Sequence, residues 1–297
     1  MTRPTVTDEG IINGRPYVRV SGVGNFSTFK TFDCGQCFRF DPQEGADSYE
    51  VTGVAMGRRI SFSDINGELI IKGTTAAEYD SIWERYLSLD ADYDEIDRVV
   101  TTSLDADGCA VMTHALEVAR GIRILRQDPW EALCSFIISQ NNNIPRIKKI
   151  ISALSASFGE KIDDSSYAFP TAKALADAGE DKIFALKTGF RASYITDAAR
   201  KVASGELDLH AVCEAESYDK AAEMLMTVRG VGPKVAACAL LFGFGFTEAF
   251  PIDTWMKKVA ERHFPGGLDH KLFGKAAGIA QQYLFYMERY INSPERI

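Results

Sequence analysis

The stretch Val228-Arg229-Gly230-Val231-Gly232-Pro233-Lys234-Val235 decides the fold, together with Phe250-Pro251-Ile252-Asp253 downstream of it. The glycines permit positive φ and close backbone approach, so a tight turn between two apolar helical segments is expected. Pro233 suits the first position of the second helix, where its missing N–H costs little. The free N–H groups at that helix start can bind a phosphate. A plain helix–helix turn would use the same residues, so the flanking side chains must choose between the two. Lys234 falls in the first turn of the helix. The helix dipole disfavours an ammonium there, which suits a nucleophilic amine; the alternative is a surface lysine touching phosphate. Asp253 precedes a helical run and reads as an N-cap. A carboxylate held there can also stabilise positive charge on a sugar carbon attacked by Lys234.

The chain has 297 residues, 46% apolar and 25% charged, which is ordinary globular composition for two or three subdomains. No apolar h-region opens it, and no run of eighteen apolar residues predicts a membrane span. The net charge of -8 argues on its face against a polyanion partner. The distribution matters more than the sum. Residues 88–108 carry seven acids against Arg98, whereas 120–149 carry Arg120, Arg123, Arg126, Arg146, Lys148 and Lys149 against Asp128 and Glu131. A locally basic face on an acidic protein is therefore allowed. The six cysteines are expected to be reduced thiols. Cys34-Gly35-Gln36-Cys37 has CxxC spacing without a second pair, so it reads as small residues flanking a glycine turn rather than as a metal or redox site. No four-cysteine set predicts an iron–sulfur cluster.

Residues 1 to about 115 read as mostly β. Tyr17–Val20, Cys37–Phe40, Tyr49–Thr52, Arg59–Phe62 and Leu69–Lys72 alternate or are β-branched. Asn66-Gly67 is a hairpin signal, since both turn positions need positive φ. Ala76–Leu89 reads as an amphipathic helix, and the acidic stretch after it as a solvated helix or connector. From 116 to 297 the pattern is helical, with the helix-hairpin-helix at about 218–243. Asp128-Pro129 predicts a helix start, with a second helix over Ile144–Phe158. Further helices are expected over Thr171–Gly179, Asp181–Leu186, Ala192–Ser204, Tyr218–Val228, Lys234–Phe242, Asp253–Phe264 and His270–Tyr290. The fold class is α+β: an N-terminal antiparallel sheet domain packed on an all-α body.

With these residues in place, the sequence resembles the helix-hairpin-helix DNA glycosylases, and among them the 8-oxoguanine DNA glycosylases. The hairpin Gly230–Lys234 and Pro251-Ile252-Asp253 match the superfamily pattern. Ser139-Gln140-Asn141-Asn142-Asn143-Ile144-Pro145-Arg146 resembles the SxNNNxxR stretch of the 8-oxoguanine enzymes, and Gly35-Gln36-Cys37-Phe38-Arg39 their GQxFRW stretch, with Phe40 in place of tryptophan. The resemblance runs from about residue 30 to 290. It implies a TATA-binding-protein-like sheet domain on the glycosylase body.

The resemblance also implies roles. Base excision in a duplex requires extruding the nucleotide. Asn141 would enter the stack, with Asn142 and Asn143 beside it at the DNA. Arg146 would read the opposite cytosine with Arg191, and Phe190 would wedge between bases where a tyrosine is usual. The hairpin glycines Gly230 and Gly232 would meet the DNA backbone. Gly35 would offer its carbonyl to the N7–H that distinguishes the lesion. Gln281 would read the base edge, Phe285 would stack on the base, and Cys238 would lie on its other face. Trp255 stands where a histidine often meets a phosphate; its indole N–H can donate but brings no charge. Lys234 and Asp253 are the implied catalytic pair. No metal or redox cofactor is implied, save a monovalent cation at backbone carbonyls near the hairpin. The expected partner is damaged double-stranded DNA, bound by a monomer with no membrane role. The absence of a basic targeting run points to a prokaryotic cytoplasm. Two readings stay open: a relative for alkylated purines or oxidised pyrimidines, and a non-catalytic DNA-binding module on the same hairpin.

Overall fold

The computed structural model describes residues 3–43 and 49–291. Six strands form one antiparallel sheet in the order β1-β2-β6-β5-β4-β3. They are β1 (Thr5–Ile12), β2 (Arg15–Ser21), β3 (Phe40–Pro42), β4 (Glu50–Ala55), β5 (Arg58–Ile65) and β6 (Glu68–Lys72). The Asn66-Gly67 turn joins β5 to β6 with φ of 54° and 80°, as the dipeptide predicts. Alternation along the strands turns Val18, Val20, Ile60, Phe62, Leu69 and Ile71 to one buried face.

That face is covered by α1 (Thr28–Asp33) and by a helical run of α2 (Ala76–Glu78), a π-turn over Tyr79–Trp83 and α3 (Glu84–Tyr86). Phe62 sits at the centre, stacked on Phe32 at 5.1 Å and edge-on to Trp83 at 5.7 Å. Aromatic contacts of this kind supply most of a small core's buried area.

The remaining chain is helical. It comprises α4 (Tyr93–Thr102), α5 (Ala106–Ala119), α6 (Pro129–Ser139), α7 (Ile144–Phe158), α8 (Ala172–Ala178) and α9 (Glu180–Ile183), then α10 (Arg191–Ser204), α11 (Leu209–Cys213), α12 (Tyr218–Met226), α13 (Pro233–Ala239), α14 (Thr254–His263) and α15 (Ala277–Ile291). A π-turn over Leu240–Phe244 prolongs α13, and a 3-10 segment over His270–Ala276 leads into α15.

The expectation that the first 115 residues are mostly β is corrected. The sheet ends at Lys72, and α4 and α5 bury Tyr93, Val100, Met112 and Ala115 in the helical core. Most of the acidic side chains there are exposed, but Asp97 turns inward and accepts from Tyr283 Oη of α15 at 2.8 Å. Cys37–Phe40 is also not a strand as expected; β3 starts at Phe40, and the preceding residues form a turn.

The two cores do not divide at one point in the chain. Cys34 and Phe38 join the helical cluster, while Leu125 joins the sheet cluster. Gln36, 1% exposed, stitches them together. Its Nε2 donates to the carbonyls of Thr31 and Arg123, both at 2.8 Å, and its Oε1 accepts from Leu125 N at 2.8 Å. A buried amide with all these bonds satisfied is a rigid tie.

Candidate active site

The hairpin forms between α12 and α13. Gly230 has φ of +77°, and a Cβ there would fall 2.3 Å from the Tyr194 ring. Glycine is therefore required twice over, by conformation and by packing. Gly232 differs from expectation: its φ is -100°, which any residue adopts, and nothing lies within 4 Å of a Cβ built on it. Its missing side chain leaves open space at the start of α13. No side chain caps that helix, so its first N–H groups remain available to an anion.

Lys234 is half-buried in the first turn of α13. Cys238 lies one turn further on, close enough for its thiol to feel the lysine charge. Burial pushes the Cys238 thiol up to about 11, against the lowering pull of the Lys234 ammonium and with a raising push from Asp253. One thiol thus feels both charges, which puts the lysine and the aspartate in one neighbourhood. Asp253 caps α14: its Oδ1 accepts from Trp255 N at 3.0 Å and Met256 N at 2.9 Å. Both bonds fall on one oxygen, and Oδ2 has no donor among the described residues.

Helix α15 supplies another wall. A Cβ on Gly278 would strike Leu241 of the π-turn after α13 at 2.3 Å, and Gly278 N donates to Thr247 O at 2.7 Å. This packing seats α15 against the segment between Lys234 and Asp253. One turn on, Gln281 is 4% exposed, and its Oε1 is buried with no hydrogen-bond partner. Four other buried side-chain oxygens among the described residues also lack a partner, but of the five only this one lies on the helix face that carries Phe285, where a ligand donor would satisfy it. Phe285 lies on the same side. Its ring comes within 3.9 Å of a Cβ built on Gly35, whose φ is +81°. Gly35 and Phe285, 250 residues apart in sequence, therefore face each other.

A second cluster surrounds the turn between α6 and α7. Asn141 is exposed and left-handed, with φ of +47°. Asn142 and Asn143 also have structural work to do in this turn. Asn142 Nδ2 donates to Ile138 O at 3.0 Å, and Asn143 Oδ1 accepts from Arg146 N at 3.0 Å, so these two build the turn and cap α7. Arg191 is not turned outward. It is 2% exposed and donates to the carbonyls of Gln140, Asn141 and Thr188. Burial, then the nearby Arg146 charge, lowers its pKa. Phe190 covers Arg191, with its ring 4.3 Å from the guanidinium, and is itself 51% exposed. Asn141, Arg146 and Phe190 thus project from one rigid base. Trp255, by contrast, gains the charge it lacks: Lys258 Nζ sits 4.4 Å above its ring.

The locally basic face allowed over residues 120–149 forms only in part, with Arg120, Arg146 and Lys149 exposed. Arg123 is buried, Arg126 pairs with Asp90 at 2.8 Å and Lys148 with Asp41 at 2.7 Å. Cys34 and Cys37 are buried, and burial raises both thiols, Cys34 to about 12. Sequence reasoning gave no role to Gln36, Gln127, Gln282 and Arg289, which support the Gly35 turn, or to Lys258. Gln36 left a signal in the Gly35–Arg39 stretch, and Gln282 as a second glutamine in an apolar helical run.

Comparison with known proteins bears on this geometry. Residues 20–133 match the 8-oxoguanine DNA glycosylase N-terminal domain, and residues 134–271 match the HhH-GPD superfamily base excision DNA repair protein. These matches define the class. An 8-oxoguanine glycosylase/lyase from Clostridium acetobutylicum, solved with DNA carrying cytosine opposite 8-oxoguanine, is 35% identical; it covers 97% of this chain and 99% of its own, with a TM-score of 0.85. The structure of MBOgg1 with a low-affinity DNA ligand is 38% identical over 98% of this chain and 100% of its own, with a TM-score of 0.88. An N-glycosylase/DNA lyase of Saccharomyces cerevisiae is 39% identical over 159 residues, which is 49% of this chain and 42% of the yeast protein. The chain spans about half the length of the curated relatives it matches. The chain belongs to the 8-oxoguanine DNA glycosylase family of the HhH-GPD superfamily.

Proposed function

We propose that the protein is a bifunctional DNA glycosylase/AP lyase that removes 8-oxoguanine paired with cytosine. The observation that carries this reading is the buried, unpartnered Oε1 of Gln281 on the helix whose Phe285 faces Gly35. A flipped purine would stack on Phe285 and give the glutamine its missing donor.

In this reading Nζ of Lys234 attacks C1′ of the flipped nucleotide. The C1′–N9 bond breaks, its electron pair leaves with the base, and the base takes up the proton that Nζ releases on bonding to C1′. Asp253 stabilises the positive charge developing on the sugar. The sugar ring opens to a Schiff base between Nζ and C1′. Loss of a C2′ proton then expels the 3′ phosphate oxygen by β-elimination. Asn141, Arg146 and Phe190 occupy the vacated stack and meet the orphaned cytosine, while the hairpin N–H groups hold a phosphate. A monovalent cation held by backbone carbonyls near the hairpin belongs to this reading. It would add positive charge where that phosphate binds. The protein would act as a monomer on double-stranded DNA, in a prokaryotic cytoplasm and without a membrane.

Excision is to be measured on 8-oxoguanine paired with each of the four bases, and on duplexes carrying alkylated purines and oxidised pyrimidines. Preference for the cytosine pair supports the proposal; excision of an alkylpurine alone would sink it. Borohydride should trap a covalent adduct with the wild type and not with Lys234→Gln. Trapping of Lys234→Gln at the normal rate would remove the nucleophile from this lysine.

A further inference from the structure

The backbone from Asp33 to Gln36 presents four successive carbonyls, and three are held by side chains from distant parts of the chain. Arg289 Nη1 donates to Asp33 O at 2.6 Å, Gln282 Nε2 to Cys34 O at 2.9 Å and Gln127 Nε2 to Gln36 O at 2.7 Å. Among the described residues nothing donates to the Gly35 carbonyl. Gln282 and Arg289 are seven residues apart, two turns along one side of α15, the helix that carries Gln281 and Phe285. Arg289 Nη1 also lies 3.9 Å from a Cβ built on Gly35. On the other side, the buried Gln36 amide fixes the next residue to Thr31, Arg123 and Leu125.

We infer that Arg289, Gln282 and Gln127 are positioning residues that hold the Gly35 carbonyl as the one free acceptor of this turn, directed at a ring N–H of the flipped base. The inference rests on the 8-oxoguanine reading above. A glycine at positive φ has little intrinsic reason to keep its peptide plane in one orientation. Its neighbours must supply that orientation, and here both flanking peptides are clamped. The clamp matters because N7 is where oxidation of guanine turns an acceptor into a donor. Oxidised guanine offers an N7–H donor; guanine offers a lone pair that would face the carbonyl oxygen with no proton between them. Discrimination of this kind relies on a buried polar group left unmatched by the wrong partner. A carbonyl free to swing away would lose it. Arg289 contributes a charge-assisted bond, the stronger kind, and is the clamp member expected to matter most.

The test compares single-turnover removal of 8-oxoguanine with incision of a preformed abasic site, which has no base to read. Arg289→Met is expected to slow base removal by about tenfold or more, the loss of one hydrogen bond to a charged group. It should leave abasic-site incision within about twofold. Arg289→Lys should recover part of the loss. Base removal at the wild-type rate in Arg289→Met overturns the inference. So does an equal loss of both activities, which marks a merely structural tie. Should Arg289→Met fail to fold, Gln282→Leu carries the same two readouts, and the same two outcomes overturn the inference. A wild type that cuts abasic sites but leaves 8-oxoguanine overturns the functional reading itself, and this inference with it.

Discussion

Asp253 combines a structural and a proposed chemical role on one carboxylate, and one substitution separates them. Asparagine caps a helix about as well as aspartate, so Asp253→Asn should hardly change the melting temperature. It removes the charge, and loss of one preorganised electrostatic group costs on the order of 10²–10³ in rate. A single-turnover excision rate within threefold of wild type would leave Asp253 as a cap and nothing more. Gly230 answers to a different constraint. Gly230→Ala places a methyl 2.3 Å from the Tyr194 ring at φ of +77°. Strain and overpacking together should cost about 2–4 kcal/mol, read as a drop in thermal stability. A melting curve unchanged by this substitution would mean that the turn relaxes freely. At this scale the sequence was informative where the signal is local. Lys234, Asp253 and the hairpin glycines sit in one short motif. Gln282 and Arg289 carry no local mark, because their partners at Cys34 and Asp33 are 248 and 256 residues away.

Among the elements, α6 holds a titrating contact with the loop after Gly35. Glu131 pairs with Arg39 at 3.3 Å, and Arg39 also donates to Tyr167 O at 2.5 Å. Burial raises the Glu131 carboxyl to about 7 despite the guanidinium beside it. A carboxyl raised on folding stabilises the fold while protonated. Its contribution is therefore full below the unfolded value near 4.5 and is lost as pH rises through about 7. Glu131→Gln cannot titrate. The melting temperature of Glu131→Gln minus that of wild type should climb between pH 4.5 and 7 and level off above. A flat difference across that window would refute the raised carboxyl.

Element boundaries were legible where caps are strong. Helix α7 spans Ile144–Phe158 as its Asn143 cap and Pro145 predict, and Asp128-Pro129 opens α6. Helices α4 and α5 were misjudged because their charges are conspicuous and their buried faces rest on a few residues such as Tyr93, Val100, Met112 and Ala115. The turn before β3 looked like a strand by alternation, yet Gln36 is drawn inward by bonds to both cores.

For the whole molecule, a net charge of -8 limits how DNA can be held. Arg146, Arg229, Lys234 and Lys258 lie at the proposed interface without a carboxylate partner among the described residues, whereas Arg126 and Lys148 are paired. With about 0.9 counterion released per phosphate contact, log K for undamaged duplex should fall against log salt with a slope of about -3 to -5. A slope steeper than about -7 in a titration would point to a basic surface beyond these residues. The overall architecture was legible because hairpin signals and helical periodicity are additive along the chain; the base pocket was legible only through the family resemblance, because its walls meet only after folding. That assembly has a consequence for synthesis. On the ribosome the hairpin carrying Lys234 emerges well before α15. Until α15 docks, Gly35 has no Phe285 opposite it and Cys34 no Gln282. A nascent chain would therefore hold the proposed nucleophile before the proposed base reader is complete. Chains stalled before residue 281 should leave a duplex containing 8-oxoguanine uncut, so that translation itself delays the nuclease-like step until the reader is complete.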